Sequence, residues 1–194
     1  MLIIVEGFDN SGKTTLCNFL EEKLSHFTKV TRYKNDNLTD HKHRLTEILA
    51  STHLHPVVLC DRISIIGEEV YGKVLRGKSC WNLTLEEIWT SFMNSIPSSI
   101  PVVFIYCLPS NPELGNKPEM EGVIEHQEAL RKAYHQAALT TEKVFYNASH
   151  VKISNNRYFR TYDYQKDGNF LLIEAFIDYI ISYHGLLDSW KERG

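Results

Sequence analysis

The run Gly7-Phe8-Asp9-Asn10-Ser11-Gly12-Lys13-Thr14 constrains this chain most, because it fits the phosphate-loop pattern G-x-x-x-x-G-K-[ST] at every fixed position. Its surroundings fit as well. Leu2-Ile3-Ile4-Val5 reads as a buried strand ahead of the loop, and from Lys13 onward Leu16, Phe19, Leu20 and Leu24 recur at helical spacing. Gly7 and Gly12 let the backbone curl so that successive N–H groups face inward toward phosphate oxygens. The N-terminus of the following helix adds its partial positive charge. In such a loop Lys13 reaches the β- and γ-phosphates of ATP and the Thr14 hydroxyl ligates Mg²⁺, while Asn10, Ser11, Gly12 and Thr15 complete the cradle.

The rest of the chain alternates short apolar runs with segments of helical period, the α/β pattern. Strands are predicted at Lys29 to Tyr33, Val57 to Cys60 and Val102 to Cys107, and helices around His43 to Ala50, Ile63 to Leu75 and Gly122 to Tyr146. Thr84 and Glu87 form a capping box ahead of a helix over Leu85 to Asn94. The stretch His150 to Tyr164 reads as β-rich with a hairpin turn at Asn155-Asn156, and Phe170 to Tyr183 as a last amphipathic helix. Buried strands separated by helices imply a mostly parallel sheet covered on both faces, three layers in all. Ligands of such sheets bind at the carboxyl ends of the strands. The motifs therefore belong just after Val5, Tyr33, Cys60 and Cys107.

With no repeat, linker or low-complexity tract, the 194 residues read as one domain, with a lid segment at about residues 109–122. A formal charge of -3 argues against duplex nucleic acid or an anionic membrane as the main partner, so phosphate must be met by local donors. Cys17, Cys60, Cys80 and Cys107 are scattered and fit free thiols in a reducing compartment. His41-x-His43 and His53-x-His55 lack a carboxylate or thiol at ligand spacing and read as solvated histidines. The Leu2 to Val5 run is too short for a signal peptide, and no apolar stretch reaches the roughly 20 residues of a membrane span. A cytoplasmic location is the expectation, the host cytoplasm if the chain is viral.

Three further stretches carry a resemblance. Val5-Glu6-Gly7-Phe8-Asp9-Asn10-Ser11-Gly12-Lys13-Thr14-Thr15 resembles the opening of thymidylate kinases, Asp61-Arg62 resembles their Asp-Arg motif, and Glu121 to Tyr134 resembles their lid helix, with Glu128, Arg131 and Tyr134 in familiar places. The resemblance implies a P-loop nucleoside or nucleotide kinase fold and phosphoryl transfer from Mg·ATP to a deoxynucleoside monophosphate: dTMP first, then dGMP or a modified pyrimidine. It implies that Asp9 meets the sugar 3′-hydroxyl and that Tyr71 continues the Asp-Arg helix. It also leaves room for a homodimer through Ile63 to Leu75.

The chemistry of the residues agrees. Arg62 can grip an acceptor phosphate bidentately, and Asp61 can hold Mg²⁺ through water or anchor Arg62. Arg32 and Lys34, past the second strand, are candidates for the acceptor phosphate, with a solvated strand end as the alternative. Arg44, Arg76, Tyr71 and Trp89 are candidates for base contacts or, equally, for packing and surface. Between Leu108 and Leu130 the one basic residue is Lys117, so transition-state charge falls to Lys117, Arg131 or both. An Arg131–Glu128 salt bridge competes with that role.

The segment from Tyr33 to Asp61 is shorter than in cellular thymidylate kinases and lacks their thymine-reading helix; such compact chains resemble those of bacteriophages. Two other readings stand beside the first: a kinase of a 5′-hydroxyl on a deoxynucleoside or DNA end, with Asp61 as base, and a non-enzymatic NTP-binding regulatory module.

Overall fold

The centre of the molecule is a strand with no exposed residue, β1 (Leu2–Glu6), whose two neighbours come from distant parts of the chain. The computed structural model describes residues 1–34, 40–110, 125–150 and 156–191, with side chains 147–150 and 191 left aside. The other strands are β2 (Val30–Lys34), β3 (Val57–Asp61), β4 (Val102–Cys107) and β5 (Arg157–Tyr162). They run in the order β2-β3-β1-β4-β5, and every pairing is parallel.

The helices are α1 (Lys13–Ser25), α2 (His41–Leu54), α3 (Ser64–Gly67), α4 (Lys73–Arg76), α5 (Leu85–Asn94), α6 (Gln127–His150), α7 (Asn169–Tyr183) and α8 (Leu186–Lys191). A π turn, Glu68–Gly72, joins α3 to α4. Side chains alternate across each strand, which divides the core in two. Leu2, Ile4, Val58, Cys60, Phe104 and Tyr106 pack with Trp89 and Phe92 of α5 and Tyr134 and Phe145 of α6. Ile3, Val5, Leu59, Val103 and Ile105 pack with Leu16 and Leu20 of α1 and Ile173, Ile177 and Ile180 of α7. Each such aliphatic side chain gains about 1.5–3 kcal/mol from burial, so apolar strands are the main source of stability.

Most predicted elements are present, and the strand Val102–Cys107, the helix Leu85–Asn94 and its Thr84–Glu87 capping box keep the expected bounds. Three expectations change. In the β-rich stretch, α6 runs on to His150 and β5 joins the sheet parallel to β4, from Val102↔Arg157 to Cys107↔Tyr162, while the turn expected at Asn155-Asn156 begins in residues 151–155, outside the described residues. A parallel edge strand needs a crossover, and α6 supplies it. The single helix expected over Ile63 to Leu75 is broken by the π turn. Trp89, a candidate for base contact, has no exposed surface and stands edge-on to Phe92 and Phe104 at centroid distances of 5.7 and 5.1 Å. Among the described residues no helix is long and apolar enough to cross a membrane.

Candidate active site

The carboxyl ends of β1, β3 and β4 meet where the strand order reverses, and the phosphate loop leaves from β1 at that point. Gly7 has φ 149°, and a Cβ there would lie 2.4 Å from the Cys107 carbonyl oxygen at the end of β4. The loop is thus pressed against β4 in a way a side chain would prevent. Gly12, at φ 83°, opens α1, and no side chain caps that helix. Its first-turn N–H groups are the donors such a loop offers to an anion.

Lys13 lies inside the curl, 6% exposed. Its Nζ donates to the Phe8 carbonyl and, at 3.3 Å, to Ser11 Oγ. Burial, with the nearby Arg62 charge, pushes its pKa down to about 8. Thr14 and Thr15 are exposed at the first turn of α1. Asp61 lies at the end of β3, paired in register with Val5 just before the loop. Thr14 and Asp61 offer hard oxygen donors, a donor set that suits Mg²⁺.

Arg62 is the most unusual residue of the site. Its N–H donates to the Val5 carbonyl at 2.9 Å, continuing the β3–β1 ladder, but its φ is 72°. A non-glycine residue in that region carries about 1–3 kcal/mol of strain. The turn aims the guanidinium over the loop, where Nη2 donates to Asp9 Oδ1 and stands 3.4 Å from Tyr71 Oη. Tyr71 Oη in turn donates to Asp9 Oδ2 at 2.9 Å. Burial raises the Asp9 carboxyl, but the charge and hydrogen bond of Arg62 outweigh it and hold the group below its usual range. Tyr71 is only 5% exposed, so it positions Asp9 rather than offering a broad face to a ligand. Its place depends on the π turn, which inserts an extra residue into the helical register.

Beneath this cluster lies Glu6, with no exposed surface. Its Oε1 accepts from the Ile63 N–H, and Oε2 accepts from the Gly7 N–H at 3.4 Å. One carboxyl therefore ties the residue after Arg62 to the start of the phosphate loop. Burial pushes it up to about 7, against the pull of the Ile63 N–H, Arg62 and Lys13.

The remaining expectations divide. Asp61 does not anchor Arg62: its Oδ2 accepts from Arg32 Nη2 at 2.7 Å, and Arg32 also reaches Glu21 Oε2 at 2.8 Å. Arg32 is therefore a buried bridge from β2 to α1 and β3 rather than a solvated strand end. Lys34 borders a cavity of about 420 Å³ with Arg32, Tyr33, Arg44 and Glu21, and Arg44 stacks over Tyr33 at 5.0 Å. Arg76 is half exposed and paired with Glu68 at 2.5 Å. Arg131 makes the competing bridge, with Nε and Nη2 3.0 and 3.2 Å from the Glu128 carboxylate. Lys117 and residues 111–122 of the lid segment lie outside the described residues.

Two residues near the loop carried no sequence motif. Asp163, after β5, accepts from the Ser110 N–H and hydroxyl at 3.2 and 2.6 Å, and so binds the exit of β4 to the β5–α7 turn. The next residue, Tyr164, lies against the loop, 3.0 Å from where a Gly12 Cβ would stand. The signal was available: both follow the carboxyl end of a parallel strand.

No protein-family model matches the chain, and no curated protein matches its sequence. Solved structures share its fold. The YorR protein of Bacillus subtilis, in complex with phosphorylated GDP, matches with a TM-score of 0.57 and 18% identity, over 95% of this chain and 98% of that one. The deoxyadenosine kinase of M. mycoides, with dCMP and dCDP bound, gives 0.51 and 17% over 93% and 100%. The thymidylate kinase of Candida albicans gives 0.51 and 16% over 96% and 92%. The chain has the fold of the P-loop nucleoside and nucleotide kinases.

Proposed function

We propose that this protein transfers the γ-phosphate of Mg·ATP to a deoxynucleoside monophosphate, dTMP being the first candidate and dGMP or a modified pyrimidine nucleotide the next. Proteins of this fold with similar scores are named for both nucleosides and nucleotides as acceptors, so the fold does not choose between them. The choice rests on one observation: both carboxylates at the mouth of the loop are already held in ion pairs, Asp9 by Arg62 and Asp61 by Arg32. A 5′-hydroxyl acceptor needs a general base, and a carboxylate locked to a guanidinium is a poor one. An acceptor phosphate is anionic from the start and needs only positioning and charge neutralisation.

Each residue then has a role that its place supports. Lys13 and the N–H groups opening α1 bind the donor phosphates. Arg62 exchanges part of its contact with Asp9 for the acceptor phosphate. Asp9, oriented by Tyr71, takes the sugar 3′-hydroxyl, which selects a nucleotide with that hydroxyl intact. Lys34, at the cavity past β2, adds charge on the acceptor side, and Arg131 or Lys117 serves the transferring group from the lid. Thr14 and Asp61 would hold Mg²⁺, which would supply charge neutralisation for the phosphates. The site lies at one chain's own strand ends, so a homodimer is not required for it.

The test is ADP formation from Mg·ATP across nucleosides, ribo- and deoxynucleoside monophosphates and 5′-hydroxyl oligonucleotides. Stimulation by one or more deoxymonophosphates is expected. Stimulation by nucleosides or oligonucleotide ends alone would instead establish the hydroxyl-kinase reading, and nucleotide binding without any turnover the regulatory one.

A further inference from the structure

Three segments bring together a set of side chains that the sequence keeps far apart. His41 opens α2, Glu68 begins the π turn, and Cys80 lies in residues 77–84 between α4 and α5. A nitrogen, a carboxylate oxygen and a thiol sulfur from these three lie within 4.8 Å of one another. The histidine pattern at His41 spoke against a metal because no carboxylate or thiol stood at ligand spacing in the sequence. The fold supplies one of each.

We propose that His41, Glu68 and Cys80 form a divalent transition-metal site selective for Zn²⁺, with water as the fourth ligand. His41 Nε2 is 3.4 Å from Glu68 Oε1. Two ligands at about 2.0–2.1 Å from a tetrahedral ion stand roughly 3.3–3.4 Å apart, so this pair is already at ligand spacing. A thiolate at about 2.3 Å from the same ion stands some 3.6 Å from each, within reach of a rotamer change at an exposed residue. Glu68 Oε2 is held by Arg76 at 2.5 Å, which leaves Oε1 turned toward His41 and fixes the carboxylate as an outer-shell partner does. His41 Nδ1 is buried with no hydrogen-bond partner among the described residues, so the fold does not commit the ring to one tautomer.

The mixed nitrogen, sulfur and oxygen set selects Zn²⁺ over the Mg²⁺ of the phosphate loop. An ion here joins α2, the π turn and residues 77–84.

The test uses the whole protein stripped with a chelator and titrated with Zn²⁺ against a fluorescent indicator, then with Co²⁺ in an absorption spectrometer. One equivalent of Zn²⁺ is expected to bind with a micromolar or tighter Kd. Cys80→Ser and His41→Gln should each weaken it at least about tenfold. The Co²⁺ complex should show a thiolate-to-metal absorption band that Cys80→Ser removes; the other three cysteines are buried and cannot supply it. Cys80 is exposed, so its variant carries the test if His41→Gln fails to fold. No binding at micromolar Zn²⁺, or binding unchanged by Cys80→Ser, overturns the proposal.

Discussion

Arg62 Nη2 donates to Asp9 Oδ1, joining the turn that ends β3 to the interior of the phosphate loop. The two residues are 53 positions apart, and adjacent parallel strands bring their loops together. Arg62 reaches Asp9 from a left-handed backbone, and Glu6 below and Tyr71 beside the pair hold that geometry. The cation proposed to bind the acceptor phosphate is therefore placed before any ligand arrives.

Tyr71 tests this preorganisation without touching the charges. Tyr71→Phe removes the 2.9 Å hydrogen bond to Asp9 Oδ2 and keeps the ring between Arg62 and Tyr134. A stability loss of about 1 kcal/mol is expected, the usual worth of such a bond. KM for the deoxymonophosphate should rise more than kcat falls. Steady-state kinetics that match the wild type would show that Asp9 needs no support.

Glu6 makes a prediction about pH. Its carboxyl has an ordinary value of 4.5 but lies near 7 in the folded chain. Between those values the unfolded chain gives up the proton first, so stability present at acidic pH is lost as pH rises through 7. The loss amounts to roughly 3 kcal/mol across the window. Lys13, pushed down to about 8, acts in a separate window above it. Urea unfolding of Glu6→Gln from pH 4.5 to 7.5 should therefore show a flatter profile than the wild type. Parallel profiles would mean that Glu6 is ionised throughout.

Gly7 and Gly12 should differ in tolerance. A Cβ at Gly7 meets a backbone carbonyl at 2.4 Å, whereas one at Gly12 meets the Tyr164 ring at 3.0 Å, which can move. Gly7→Ala should destabilise by about 3 kcal/mol or more and Gly12→Ala by about 1–2 kcal/mol. Equal midpoints in urea would contradict this packing of the loop on β4.

Asp61 separates the two kinase readings. Its pairing with Arg32 at 2.7 Å makes it a structural and metal-side residue when the acceptor is a phosphate. Asp61→Asn should lower kcat by about 10–100-fold while leaving measurable transfer to a monophosphate, and Arg32→Gln should lower it through the same pair. Complete loss on Asp61→Asn, with Arg32→Gln normal, would point to Asp61 as a base.

What the sequence showed and what it hid follow from range. The phosphate loop is local: its glycines, lysine and threonine act within eight residues, and the buried strand and helix around it have strong periodicity. Parallel pairing is not local, so β5 read as half of a hairpin when its partner was β4, beyond the whole of α6. Asp61-Arg62 was visible as a pair, but its two members turn apart, one to Arg32 and one to Asp9, because Arg62 takes a left-handed backbone that no composition rule foretells. Trp89 reads identically whether it faces a base or a core. Glu6 precedes the loop openly, but its link to Ile63 exists only once β3 lies beside β1.

The central claim is transfer of an intact phosphate to a phosphate, and product identity tests it most directly. The protein would be incubated with ATP radiolabelled at the γ-position and a deoxynucleoside monophosphate, and the products separated by thin-layer chromatography. The label should appear in the deoxynucleoside diphosphate with the wild type and be lost by several orders of magnitude in folded Lys13→Ala. Label found only as inorganic phosphate, or only on a nucleoside 5′-hydroxyl when one is supplied, would contradict phosphate-to-phosphate transfer.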